Sequence, residues 1–139
     1  MSALLDEVTK LLTESELNYE LHCDDDKEVV NLGQMSKDPA YNLFIHVNEE
    51  SSVVNLVGAA NCFVPEEKRA EACVVLNESN YRYPHKSYID PEDGQLMAQK
   101  CLDVDGGALN KEVLLAAIAS VHTGINHNYE ALMRLRYGN

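Results

Sequence analysis

Five histidines and four cysteines are the side chains of this sequence best suited to chemistry, because imidazole and thiolate bind zinc and act as bases or nucleophiles near neutral pH. Their spacing argues against each use. Cys23, Cys62, Cys73 and Cys101 form neither a CxxC nor a paired set, which disfavours a zinc knuckle or a redox dithiol. His22 and Cys23 are neighbours on a predicted strand and so point to opposite faces. His122 and His127 are five apart on a predicted helix, off the i, i+4 spacing that brings two ligands to one ion. The histidines are therefore read as half-exposed polar residues, and Cys73 and Cys101 as small structural thiols. No metal site is expected.

The carboxylates give a similar result. Asp103-Val104-Asp105-Gly106-Gly107 has the outline of a calcium loop, but such a loop needs an oxygen ligand at its fifth position, Gly at the sixth and Glu at the twelfth. Counting from Asp103, those places hold Gly107, Ala108 and Leu114. This segment, Asp24-Asp25-Asp26 and the Asp90 to Asp93 stretch are read as solvated turns. There is no Gly-x-Ser-x-Gly elbow, and Gly106-Gly107 does not continue into a phosphate-binding glycine loop. The expectation is no catalytic residue, no cofactor and no enzyme activity.

The chain that must position these residues has 139 of them, with 11 basic and 23 acidic side chains and a formal net charge of −12. That length suits one domain, residues 1–139, and 45% apolar with 24% charged residues is ordinary globular composition. So acidic a surface repels nucleic acid and anionic membrane, leaving neutral or basic proteins as partners. The start of the chain lacks a basic segment followed by a long apolar run, and no stretch approaches the roughly 18 apolar residues of a membrane span. The expected compartment is the cytoplasm, with reduced thiols.

Leu4, Leu5, Val8, Leu11 and Leu12 predict a first amphipathic helix, and the alternation from Leu17 to Cys23 predicts a strand. Val29 to Leu32 reads as a short partner strand, and Gly33 to Ala40 as loop. Tyr41 to Val47 and Ser52 to Ala59 predict an antiparallel hairpin. Pro65 with Glu66 and Glu67 starts a second helix reaching to about Ser79. Tyr83 to Ile89 and Gln95 to Leu102 flank Asp90-Pro91-Glu92-Asp93-Gly94, which predicts a second hairpin. Asn110 caps a final helix with an apolar stripe of Leu114, Ala117, Ile118, Val121, Ile125 and Leu132, and with Arg134 and Arg136 at its negative end. Gly124 is a candidate break in that helix.

The second helix carries the feature with most consequence for association. Ala72-Cys73-Val74-Val75-Leu76 is apolar throughout, so it cannot turn all five side chains to one neighbour. Ala70, Cys73 and Val74 form a stripe able to cover a sheet, whereas Ala72, Val75 and Leu76 form a second one turned away. That second stripe needs a cover, either another helix of the same subunit or a second copy of the chain. Ala72, Val75 and Leu76 are the candidate homodimer interface.

The order of elements looks like the type III secretion chaperone-like fold. Val64-Pro65-Glu66-Glu67-Lys68-Arg69 leading to Leu76-Asn77-Glu78-Ser79-Asn80-Tyr81, then Tyr88-Ile89-Asp90-Pro91-Glu92-Asp93-Gly94 and the closing helix, is similar to the YbjN family of bacterial proteins. The resemblance runs from Tyr41 to Leu135. It implies an α+β fold with an antiparallel sheet packed by helices, a homodimer, and a regulatory role without catalytic residues. It also implies that a protein partner's extended segment is held along grooves and strand edges. The overall expectation is a non-enzymatic binding or regulatory protein that recognises another protein. The alternatives are a dedicated secretion chaperone for one effector and, third, a small-molecule or metal-dependent enzyme.

Overall fold

The computed structural model describes residues 2–137, with the side chain of Arg136 outside the described set. In chain order the elements are α1 (Ala3–Glu14), β1 (Glu20–Cys23), β2 (Glu28–Lys37), β3 (Ala40–Asn48) and β4 (Val53–Phe63). A 3-10 turn (Glu66–Lys68) then runs into α2 (Arg69–Arg82), followed by β5 (Lys86–Ile89), β6 (Gln95–Asp103) and α3 (Lys111–Tyr137). Every strand pairing is antiparallel, and the six strands lie in the order β1-β2-β3-β4-β6-β5. The fold is α+β, as the sequence predicts.

Local chemistry explains most boundaries. Ser2 caps α1 by accepting the Leu5 amide at 3.1 Å, and the Glu49 carboxylate accepts the Leu4 amide at 3.0 Å, so two of the helix's open N–H groups are satisfied. Asn110 caps α3 through the Val113 amide at 2.9 Å. On α3, Leu114, Ala117, Val121, Ile125 and Leu132 are buried against the sheet, each large side chain worth about 1.5–3 kcal/mol of burial. Tyr41, Leu43, Ile45 and Val47 of β3 are buried on the same side, with Asn42, His46 and Asn48 exposed between them.

Three sequence expectations are corrected. Gly33 to Ala40 is not loop: β2 continues to Lys37 and returns through the two-residue Asp38-Pro39 turn. The ladder shifts register between Asn31 and Gly33 and again between Gln34 and Ser36. Each bulge breaks the period-two pattern by which a strand is recognised, and Gly33, at φ 73°, takes the left-handed conformation there. Gly124 does not divide α3, which runs unbroken. A Cβ at Gly124 would lie 2.9 Å from the His85 ring, so the glycine provides room for that imidazole.

The two stripes of α2 are the reverse of the expectation. Ala72 and Leu76 are buried inside the subunit and Val75 is half-buried, while Cys73 and Val74 face outward, Val74 with 72% of its surface exposed. The physical reason is the side-on position of α2, which packs on β5 and α3. Its inner stripe continues to Ser79, a polar residue that an apolar-pattern reading passes over. The cover for Ala72 and Leu76 is thus the chain itself. Cys73 and Cys101 are also exposed, together with Cys23, and Cys62 is the buried cysteine.

Candidate functional site

All three helices pack against one face of the sheet. Gly58 shows which: a Cβ there would lie 2.8 Å from Val121 of α3. Its neighbours on that face, Val54, Leu56 and Ala60, belong to the same buried cluster as α1 and α3. The alternate residues of β4, namely Val53, Asn55, Val57 and Ala59, therefore point to the side that no described helix covers. Val57 is buried yet lies outside the main apolar cluster, because it sits between Phe44 of β3 and Gln99 of β6 on this second face. One row further, Ala59 stands between Asn42 and Met97, and Met97 pairs with Tyr88 on β5. Phe44 and Met97 are half-buried and Tyr88 is 38% exposed. An apolar band of Phe44, Val57, Met97 and Tyr88 thus crosses four strands, flanked by Asn42, Asn55 and Gln99.

The band ends in a hollow of about 360 Å³ lined by Val29, His46, Val53 and Asn55, with Asp26 and Lys27 beside it. Burial and, second, the Lys27 charge hold the His46 pKa below its ordinary 6.5, so this imidazole stays neutral to lower pH than usual. The Asn55 carbonyl oxygen is buried there without a donor. Next to the hollow, Asp24, Asp25, Asp26, Glu28, Glu49 and Glu50 form an acidic corner. Two of these carboxylates have structural duties: Glu49 at the α1 N-terminus and Glu28 on Ser2, whose side-chain and backbone hydrogen bonds lower the Glu28 pKa. Asp24 accepts the Asp26 and Lys27 amides at 2.9 and 2.8 Å, which fixes the turn and leaves Asp25 and Asp26 facing solvent.

A second constellation joins α2, β5 and α3. His85 is buried, its ring stacked on Tyr83 with centroids 5.5 Å apart, and its Nε2 lies 3.4 Å from the Ser79 hydroxyl. Burial and, second, nearby His127 lower the His85 pKa. The folded chain therefore takes up this proton less readily than the unfolded chain. The resulting stabilisation is complete above the unfolded pKa near 6.5 and is lost as pH falls toward the folded value. Urea midpoints measured from about pH 7 to 5 are expected to decline, with this proton contributing at most about 1.4 kcal/mol per pH unit. His85→Gln is expected to flatten the decline, leaving the part due to His46; an unchanged slope would contradict the assignment.

The residues singled out in the sequence are not gathered into a metal or catalytic centre. No cluster of three or more potential metal ligands occurs among the described residues. His122 meets Tyr41, whose hydroxyl lies 2.9 Å from Nδ1 and whose pKa burial raises to about 12, whereas His127 meets Tyr83. His22 is an exposed edge-strand residue, 3.7 Å from Glu20. The band on the open face was missed in the sequence, although β4 carries the signal. Val53, Val57 and Ala59 alternate with Val54, Leu56 and Ala60, so both of its faces are apolar, and a strand of that kind requires cover on both sides. No helix of the described residues is long and apolar enough to cross a membrane.

A six-stranded antiparallel sheet packed by helices on one side, in this order, defines the type III secretion chaperone-like class. Solved structures with that fold include the ExsC-ExsE complex (TM-score 0.59, 14% identity, covering 99% of this chain and 100% of that one). The HopA1-SchA chaperone-effector complex is similar as well (TM-score 0.60, 17% identity, 91% and 94% covered). Within the class, the chain belongs to the YbjN family, described as "Putative bacterial sensory transduction regulator", whose model matches residues 4–134. The match includes β1 and β2, which lie outside the Tyr41 to Leu135 resemblance. The crystal structure of YbjN from E. coli, described as "a putative transcription regulator", superposes with a TM-score of 0.68 at 15% identity over 89% of this chain and 87% of that one. No functionally curated protein matches the sequence.

Proposed function

We propose that this chain is a non-enzymatic regulatory protein of the cytoplasm that acts by binding another protein across the uncovered face of its sheet. The observation that carries the reading is the apolar band of Phe44, Val57, Met97 and Tyr88, which lies opposite all three helices and leads to the hollow edged by Asp26. The occupant that suits it is an extended segment with apolar side chains at alternate positions and lysine or arginine at the end nearest Asp25 and Asp26. Two solved structures of the same fold, ExsC-ExsE and HopA1-SchA, are complexes with protein partners, which supports this reading. The second of them supports the alternative of a dedicated chaperone for one effector, which predicts a single abundant partner.

A homodimer is part of the proposal. Val74 and Tyr81, 72% and 90% exposed two turns apart on the outer side of α2, are the contact it favours over Ala72, Val75 and Leu76. Val74→Asp is then expected to convert a particle of twice 15.5 kDa into one of 15.5 kDa by light scattering. An unchanged mass would displace the contact from this helix face.

Partner binding is tested with the tagged chain and the protein it retains. Met97→Asp places an unpaired charge in the middle of the band and is expected to weaken binding about 30-fold or more, with the far-ultraviolet spectrum and melting cooperativity kept. Asp25→Lys with Asp26→Lys is expected to weaken it further at low salt than at high salt. Equal binding by the Met97 variant and the parent chain would refute the reading.

A further inference from the structure

The strand register draws one row of side chains across the open face of all six strands: Glu20, Asn31, Phe44, Val57, Gln99 and Lys86, in that order. The row runs across the strands, not along them. Its ends carry opposite charges and its middle carries none, so Phe44 and Val57, the centre of the apolar band, lie between a carboxylate and an ammonium. Glu20 and Lys86 are both exposed. Lys86 enters no ion pair among the described residues, and the ion-pair partner of Glu20 is the exposed His22, at 3.7 Å. The other charges on this face stand off the row. Lys27 and Asp103 are each four residues along the chain from Asn31 and Gln99, and Asp90, beyond Tyr88, has one oxygen engaged by the Glu92 amide at 2.8 Å.

The length of this row sets a sequence requirement on whatever lies along it. Six strands give five spacings of about 4.8 Å, which places Glu20 and Lys86 about 24 Å apart. An extended segment rises about 3.3 Å per residue and presents every second side chain to the sheet, so two sheet-facing residues reach both ends when about eight positions separate them. Six positions span only about 20 Å. The β1–β2 edge, with Glu20 in the row and Asp25 and Asp26 at the turn, attracts a base, whereas Lys86 on the β5 edge attracts an acid. Resting on the reading that a partner's extended segment occupies this face, we propose that the segment carries a basic and an acidic residue about eight positions apart, the base paired with Glu20 and the acid with Lys86. The apolar side chains between them lie on Phe44 and Val57.

The full-length ¹⁵N-labelled chain is titrated with end-blocked peptides and followed at the Val57, Gln99 and Lys86 signals. The peptide Lys-Ser-Val-Ser-Leu-Ser-Val-Ser-Glu is expected to give saturable shifts with a Kd at or below about 1 mM. With lysine in place of its glutamate, binding is expected to be about three- to tenfold weaker at low ionic strength, and the gap to narrow at high salt. Lys-Ser-Val-Ser-Glu-Ser-Val-Ser-Leu, of the same composition, sets its acid over the apolar centre and is expected to bind at least about tenfold more weakly. Lys86→Glu, an exposed change, is expected to reverse the order of the first two peptides, so that the one with two lysines binds more tightly. An order unchanged by Lys86→Glu, equal binding of all three peptides, or no saturable shift with any of them would overturn the proposal. Met97→Asp separates it from the open-face reading: loss of peptide binding in that variant keeps the reading whatever the ranking, and undiminished binding removes both.

Discussion

Gly94→Ala is expected to destabilise the subunit by about 3–5 kcal/mol, a large part of the 5–15 kcal/mol typical of a domain. Gly94 closes the β5–β6 hairpin at φ 76°, where a Cβ alone costs about 1–3 kcal/mol. That Cβ would also collide with the Val64 carbonyl oxygen and lie 2.9 Å from Arg69 Nε. Backbone cannot give way here, because Val64 donates its amide to the Gly94 carbonyl at 2.9 Å and accepts Arg69 Nε at 3.1 Å. The hairpin and the approach to α2 would have to move together. Urea unfolding should show a midpoint far below that of the parent chain; a shift under about 1 kcal/mol would mean that this junction is loose.

Gly124→Ala opposes two effects of known size. Alanine favours a helix interior over glycine by about 1 kcal/mol, whereas forcing a methyl into a filled site costs about 1–3 kcal/mol. The steric term wins here, since the new Cβ would meet His85 Cδ2 at 2.9 Å and the Ala98 Cβ at 3.1 Å, and His85 is held in place against Tyr83. A net loss of about 1–2 kcal/mol is expected. In a His85→Ala background the loss should shrink to the part due to the Ala98 Cβ alone, because the opposing ring is gone. Equal losses in both backgrounds would show that His85 is not what the glycine accommodates.

What could be read from the sequence follows from how strictly each element obeys a period. β3 alternates without a fault, and α3 keeps its stripe from Leu114 to Leu132, so both were legible down to the buried side chains. The strand pattern of β2 stops at Leu32 because its two bulges place Leu32 and Met35 out of phase, and both still pack against the core. On α2 the inner stripe is Ala72, Leu76 and Ser79, and a serine inside an apolar row conceals which row is inner. The reason for Ser79 lies 49 residues away, in the hydrogen bond from Asn128. Contacts of that range leave no trace in a local pattern. The candidate site is similar: Phe44, Val57 and Met97 belong to three strands, and only the β3–β4–β6 register aligns them. Family resemblance, by contrast, was carried by local motifs in a fixed order, and the family match extends it to residues 4–134.

A protein partner is expected to occupy the side of the sheet away from the helices. Methyl NMR of the labelled chain, alone and bound to the protein that co-purifies with it, tests this most directly. Shifted signals are expected for Val29, Val53, Val57 and Met97, with those of Leu5, Ile125 and Leu132 on the helix side unchanged. Shifts confined to Val74 and Val75 of α2, or a chain that retains no partner at all, would contradict it.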